Sequence, residues 1–167
     1  MLDHLTTERL MLRARRAEEA AVYRRLWDER DPRVPAHRRI DAAGRPTTAD
    51  IAARIRVEPE GLFAVERRDT GEVIGYCGLI FPPAGSTDAP ELAFELLRAS
   101  HGQGYATEAA QAVLAWAAEM GCRQLQASVW DWNVASRRVL EKLGFEEVVP
   151  RGPTSEHGTS LLTVRSL

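Results

Sequence analysis

Cysteine is scarce in this chain. Cys77 and Cys122 are its only two, too few and too far apart for a disulfide framework or a metal-ligand pattern. Reduced thiols and a cytoplasmic location are the expectation. His4, His37, His101 and His157 are too scattered in sequence to suggest a metal site, so none is expected. Lysine is rarer still: Lys142 stands alone, the remaining positive charge is arginine, and no function is drawn from that bias. Formal net charge is only −2 and the pI about 6.1, so no global basic field favours nucleic acid. Tyr105, Trp116, Trp130 and Trp132 come without a basic stripe and read as core or pocket walls. No apolar run is long enough to cross a membrane, and the N-terminal stretch carries no signal-peptide core. Repeats, low-complexity tracts and linkers are all lacking. The 167 residues, 44% of them hydrophobic, therefore read as one domain, 1–167, around a single core.

The most informative stretch runs from Glu91 to Ala109. Its first half is short and apolar, as in a buried strand. Gly102 and Gly104 then allow a sharp bend and close approach to a ligand. From Ala106, apolar residues recur at helical spacing through Ala109, Ala110, Val113, Leu114 and Ala117. A helix beginning there leaves N–H groups without intrahelical partners, and its dipole adds positive charge. Together these make an anion site, most naturally for phosphate. A P-loop is disfavoured because no Gly-Lys-Ser/Thr follows. A dinucleotide fold is the closer rival, with Asp131 placed to bind a ribose, but its third glycine would fall on Thr107. The residues alone reach an anion or phosphate site and no further.

Around that stretch, alternation predicts a strand over 10–14, and a helix follows near 17–28. The run 31–46 is too rich in proline and glycine for a regular element. Thr48 is a candidate cap for a helix containing Ile51 and Ile55. Strands are expected over 62–67 and 72–81, joined by a turn at Asp69-Thr-Gly71. Pro82 to Pro90 reads as a loop. Later come a strand through Leu125 and Val129, a helix after Asn133 stopped by Gly144, and strands from Phe145 and over 160–165. Hairpin-linked strands ahead of the glycine turn disfavour a dinucleotide fold. The expected architecture is α/β (α+β): a mixed, mostly antiparallel, twisted sheet of about six to seven strands with helices on both faces.

His101-Gly-Gln-Gly-Tyr-Ala106 resembles the pyrophosphate-binding motif Gln/Arg-x-x-Gly-x-Gly/Ala of the GCN5-related N-acetyltransferase (GNAT) family. Gly104 and Ala106 fit the pattern, while His101 replaces the usual Gln or Arg. The longer run Gly-Gln-Gly-Tyr-Ala-Thr-Glu-Ala, with Asn133-Val-Ala-Ser136, Glu141-Lys-Leu-Gly-Phe145 and Thr7-Glu-Arg-Leu-Met-Leu-Arg13, resembles the RimJ/RimL-like branch, which acetylates ribosomal-protein N-termini.

The resemblance implies acetyl-CoA as acyl donor and a primary amine as acceptor, with direct attack in a ternary complex and no metal. It places the cofactor on Leu96 and Leu97 of the central strand, on His101, Gly102, Gln103, Gly104, Tyr105, Ala106 and Thr107, and on Asn133 and Ser136. Glu91 takes the position of the family's strand glutamate and becomes the general base, with Glu95 in reserve on the same face. Ser136 becomes a donor to the leaving thiolate, since Leu140 stands where many relatives carry a tyrosine. Asn133 and Ser136 also have a plain local explanation, as a helix cap and its first turn. The loop with Trp27, His37, Arg38 and Arg39 is implied to wall the acceptor pocket. The acceptor is a protein N-terminus or a small-molecule amine, and the protein acts as a monomer or homodimer. The alternative is a non-catalytic acyl-CoA-sensing module.

Overall fold

A computed structural model of the chain describes residues 4–57, 61–82, 89–150 and 152–167. Most of the expected loop 82–90, namely 83–88, lies outside the described residues. The chain order is β1 (His4–Thr6), β2 (Leu10–Ala14), α1 (Ala20–Glu29), α2 (Thr48–Val57), β3 (Leu62–Arg67), β4 (Val73–Ile80), β5 (Glu91–Leu96), α3 (Tyr105–Glu119), β6 (Gln124–Trp130), α4 (Val134–Lys142), β7 (Glu146–Pro150) and β8 (Ser160–Ser166). Short 3-10 turns at Ala36–Arg38 and Arg98–Ser100 lie between them.

One sheet holds all the strands in the order β1-β2-β3-β4-β5-β6-β8-β7. It has eight strands, not six to seven. The extra one, β1, is three residues long, too short for any alternation to show in sequence, and exists because it pairs with β2. Every neighbouring pair is antiparallel except β5 and β6. Helices cover both faces, as expected. On one, α3 and α4 bury Val113, Ala117 and Leu140 with Leu12, Val65, Ile74 and Leu125. On the other, α1 and α2 bury Tyr23, Leu26 and Ile51 with Ala64, Val73 and Leu97.

Two helix starts differ from expectation. Thr47, one residue before Thr48, caps α2: its Oγ1 accepts the Asp50 N–H at 3.1 Å and its own N–H donates to Asp50 Oδ2 at 2.8 Å. Helix α3 starts at Tyr105, one residue ahead of Ala106. The β3–β4 hairpin turns at Asp69-Thr-Gly71 as anticipated, with Gly71 N–H donating to Arg67 O at 2.8 Å.

Candidate active site

The parallel pair β5–β6 defines the site. Their ladder contains one register pair, Glu91 with Gln126, and Gln126 N–H donates to Pro90 O at 3.0 Å. Beyond it the two strands part. Because they run parallel, the helices that follow them, α3 and α4, both begin at the open end of that gap. The Leu97 N–H donates to Ile74 O at 2.8 Å, which turns the odd residues of β5 towards β4. Alternation then turns the backbone groups of Phe94 and Leu96 towards the gap. Leu97 is spent within the protein, since its carbonyl also accepts from Ser100 N–H at 2.8 Å. The Leu96 N–H keeps the strand's contact with the gap, since the Leu96 carbonyl lies 2.8 Å from His101 Nε2.

At the open end, Gly102 and Gly104 have φ of +73° and +80°. The reason for glycine at 102 is conformational, because a Cβ there meets nothing within 4 Å; at 104 a Cβ would also come 3.3 Å from Arg9 Nη2. Among the described residues, the backbone N–H groups of 102 to 107 have no hydrogen-bond partner. Open donors at the mouth of a fifteen-residue helix fit a pyrophosphate. His101, expected among the anion contacts, lies with Nε2 2.8 Å from Leu96 O. That contact requires the Nε2–H tautomer, so reaching a phosphate with this N–H means releasing the strand. Gln103 turns its side-chain amide back onto Ala99 O at 3.2 Å.

A clamp that sequence reasoning missed holds the turn from behind. Glu108, in the first turn of α3, accepts from Thr7 Oγ1 at 2.6 Å, from Arg9 N–H at 2.8 Å and from Arg9 Nε at 2.7 Å. Arg9 Nη1 donates to Gln103 O at 2.9 Å, and the guanidinium lies 4.4 Å from the centre of the Tyr105 ring. Burial by itself would raise the Glu108 pKa, but the bonds from Thr7 and Arg9 outweigh it and hold the carboxyl below its ordinary value. The signal was in the sequence, as Thr7-Glu-Arg9 and the acidic residue of the Ala-Thr-Glu run, but nothing local joined them.

Asn133 does cap α4, its Oδ1 accepting Ser136 N–H at 3.2 Å, and Ser136 sits half-buried in the first turn. Leu140 packs in the core at 3% exposure, so no hydroxyl arises from that position. Asp131 accepts N–H bonds from Trp132 and Thr159, which gives this carboxylate a structural use in place of a ribose contact.

Glu91, half-buried, opens β5 at the closed end of the gap. Five strand steps, about 17 Å, separate it from Leu96. Glu95 faces the α1–α2 side with it. There Arg30 donates to both Glu95 oxygens, at 2.9 and 2.8 Å, and the Tyr76 hydroxyl donates at 3.0 Å. Burial, then the adjacent carboxylate, pushes the Tyr76 phenol up, so it stays a donor. Glu95 is therefore engaged in a structural ion pair.

Two clefts adjoin this face. An inner one of about 150 Å³ lies among Tyr23, Trp27, Arg54, Ile55 and Tyr76. An outer one of about 490 Å³ shares Trp27 and Arg54 with it and adds His37 and Arg39. Arg38 is not in its wall; its carbonyl accepts from Arg30 Nη1 at 3.0 Å. Among the described residues no cluster of His, Cys, Asp and Glu could hold a metal, and no helix is long and apolar enough to cross a membrane.

Residues 9–146 match the acetyltransferase (GNAT) domain family. The chain is 30% identical over 156 residues, covering 87% of itself and 84% of the relative, to the uncharacterized N-acetyltransferase p20 of Bacillus licheniformis. An acetyltransferase of the GNAT family from Bacillus anthracis superposes with a TM-score of 0.81 at 20% identity, covering 98% of each chain. A ribosomal-protein-S5-alanine acetyltransferase from Vibrio fischeri superposes with a TM-score of 0.69 at 14% identity, covering 98% of this chain and 96% of the other. At such identities the two structures establish the fold. Sequence match, sheet order and the open-donor turn agree: the chain belongs to the GNAT family and is an N-acetyltransferase.

Proposed function

We propose that the protein transfers an acetyl group from acetyl-CoA to a primary amine by direct attack, with donor and acceptor bound together. The observation that carries this reading is the gap between β5 and β6, which has open N–H donors at one end and Glu91 at the other. Acetyl-CoA supplies the activated thioester. The N–H groups of 102 to 106 hold its pyrophosphate, with Thr107 at the edge of the same turn. Leu96 and Phe94 offer backbone groups to the arm in the gap, and Asn133 and Ser136 flank it from α4. Glu91 accepts the proton that the amine gives up, directly or through water, as nitrogen bonds to the acetyl carbon and the carbon–sulfur bond breaks. Ser136 orients or relays the proton taken up by sulfur; a thiolate is a tolerable leaving group and needs little acid help. The sequence runs around Gly104, Asn133 and Glu141 support membership of the RimJ/RimL-like branch.

Thermal unfolding with and without excess acetyl-CoA tests the cofactor. A ligand at a hundred times its Kd adds about 2.7 kcal/mol, which raises the midpoint by several degrees in a domain of this size. A rise with acetyl-CoA but not NAD is expected; no rise overturns the reading. Thiol release on adding an amine then separates an enzyme from a module that only senses acyl-CoA.

A further inference from the structure

Where β5 ends, the chain folds back onto the strand it has just left. The 3-10 turn Arg98–Ser100 brings the His101 ring round until Nε2 lies 2.8 Å from Leu96 O. A carbonyl oxygen only accepts, so Nε2 carries the proton and donates it. The carbonyls that follow are engaged within the same turn. Leu97 O accepts from Ser100 N–H at 2.8 Å, Arg98 O from His101 N–H at 3.1 Å, and Ala99 O from the Gln103 side-chain amide at 3.2 Å. Helix α1 fixes the turn from the other side: Glu29 Oε2 accepts the Arg98 N–H at 2.6 Å, and Glu29 O accepts Arg98 Nη2 at 2.8 Å.

These bonds converge on Leu96. The peptide that follows it is held at both ends, its N–H on Ile74 O at 2.8 Å and its carbonyl on His101. The peptide that precedes it, which carries the Leu96 N–H, lies hard against β4. A Cβ on Gly75 would collide with Glu95 O and come 2.8 Å from Leu96 Cα. Both flanking peptides are thereby fixed, and so is the direction in which the Leu96 N–H points into the gap. With carbonyls 96 to 99 all accepting within the protein, this edge of the gap offers donors: the Leu96 N–H, then the open N–H groups of 102 to 106. The arm of acetyl-CoA carries amide carbonyls between its pyrophosphate and its sulfur, and these are the acceptors such an edge suits.

We infer that His101 is a positioning residue for acetyl transfer: it grips the Leu96 carbonyl so that the Leu96 N–H receives an amide carbonyl of the cofactor arm and sets how far the acetyl group reaches along the gap. This rests on the acetyl-transfer reading above and adds a residue to it. The imidazole serves the strand and not the pyrophosphate, because its donating nitrogen is already committed to Leu96. Loss of the grip leaves the donors of the glycine turn as they are, so the pyrophosphate still binds. What is lost is the register of the arm, and a small misplacement of the reacting carbon lowers the rate far more than the affinity.

The test compares wild type, His101→Met and His101→Gln in three measurements. These are kcat for thiol release at saturating acetyl-CoA with the best of a panel of primary amines, the Kd of acetyl-CoA, and the Kd of 3′-phospho-ADP, which carries the pyrophosphate without the arm. His101→Met keeps the length and removes the donor, and should lower kcat by about tenfold or more. Its Kd for acetyl-CoA should rise by about threefold, the scale of one neutral hydrogen bond, and its Kd for 3′-phospho-ADP should hold. His101→Gln places an N–H about as far out as Nε2 and should recover most of the kcat. His101→Asn, whose N–H falls short of Leu96 O, repeats the comparison if the methionine variant does not fold. Equal loss of affinity for acetyl-CoA and 3′-phospho-ADP with kcat unchanged would make His101 a phosphate ligand and overturn the inference. A lower unfolding midpoint with kcat and both affinities unchanged would make it structural, and a kcat loss as large in His101→Gln as in His101→Met would show that the donor is not what matters; either result overturns the inference alone. Wild type that does not bind acetyl-CoA, or binds it and releases no thiol with any primary amine, would overturn the acetyl-transfer reading and this inference with it.

Discussion

Arg9 touches the glycine turn at three points: the Gln103 carbonyl, the Glu108 carboxylate and the Tyr105 ring. By fixing the carbonyl of residue 103 on the protein side it leaves the N–H groups of the turn facing outward, and its charge adds to the helix dipole. Arg9→Ala should raise the Kd for acetyl-CoA by about tenfold, the scale of one charged hydrogen bond, with kcat at saturation nearly unchanged; calorimetric titration and initial rates separate the two. Glu108 gives a pH test. Its pKa is lowered on folding, so its contribution to stability is complete above the ordinary carboxylate value of 4.5 and is lost as pH falls through the lower, folded-state value. The unfolding midpoint of Glu108→Gln should therefore lie below that of wild type at pH 7, and the difference should shrink as pH falls through and below 4.5. At Gly104, a β-branched residue at positive φ costs about 1–3 kcal/mol and crowds Arg9, so Gly104→Val should lower the midpoint and weaken acetyl-CoA binding together. Glu91→Gln should reduce kcat by about a hundredfold or more while acetyl-CoA affinity holds; turnover undiminished across pH would remove Glu91 as the base.

Among the elements, β5 carries the site because each of its sides meets a different partner. Its backbone bonds β4 on one edge and faces the gap on the other. Its odd residues reach α1, where Arg30 closes on Glu95. With both side chains largely shielded, removing one partner strands a charge. Arg30→Met should destabilise by about 3 kcal/mol, and adding Glu95→Met should recover much of that loss; denaturant unfolding of the single and double variants measures the difference. Element placement was largely legible from sequence. The strand at 62–67 and the start of β5 at Glu91 fall where alternation and turn residues placed them, because these signals act over a few residues. The α2 cap was placed one residue late because Thr47 and Thr48 are chemically alike. Only the reciprocal bond with Asp50 separates them.

In the molecule as a whole, Cys77 and Cys122 are buried on the α3 side of the sheet, and burial pushes the Cys77 thiol up. Neither should react with a thiol reagent until the protein unfolds, so a thiol-release assay on native enzyme should show no background from the chain itself. The sequence by itself determined the helices, the hairpin, the open turn at Gly102–Gly104 and the cap at Asn133, because caps, left-handed turns and alternation depend on near neighbours. Only the tertiary structure decided that Arg9 meets Glu108 across 99 positions, that Arg30 occupies Glu95, that β5 and β6 part after a single pair, and that the Tyr23 hydroxyl is left without a partner among the described residues. Those outcomes follow from which strands become neighbours and which faces the helices cover. They arise only when the whole sheet closes over both cores, and no local run of residues carries them.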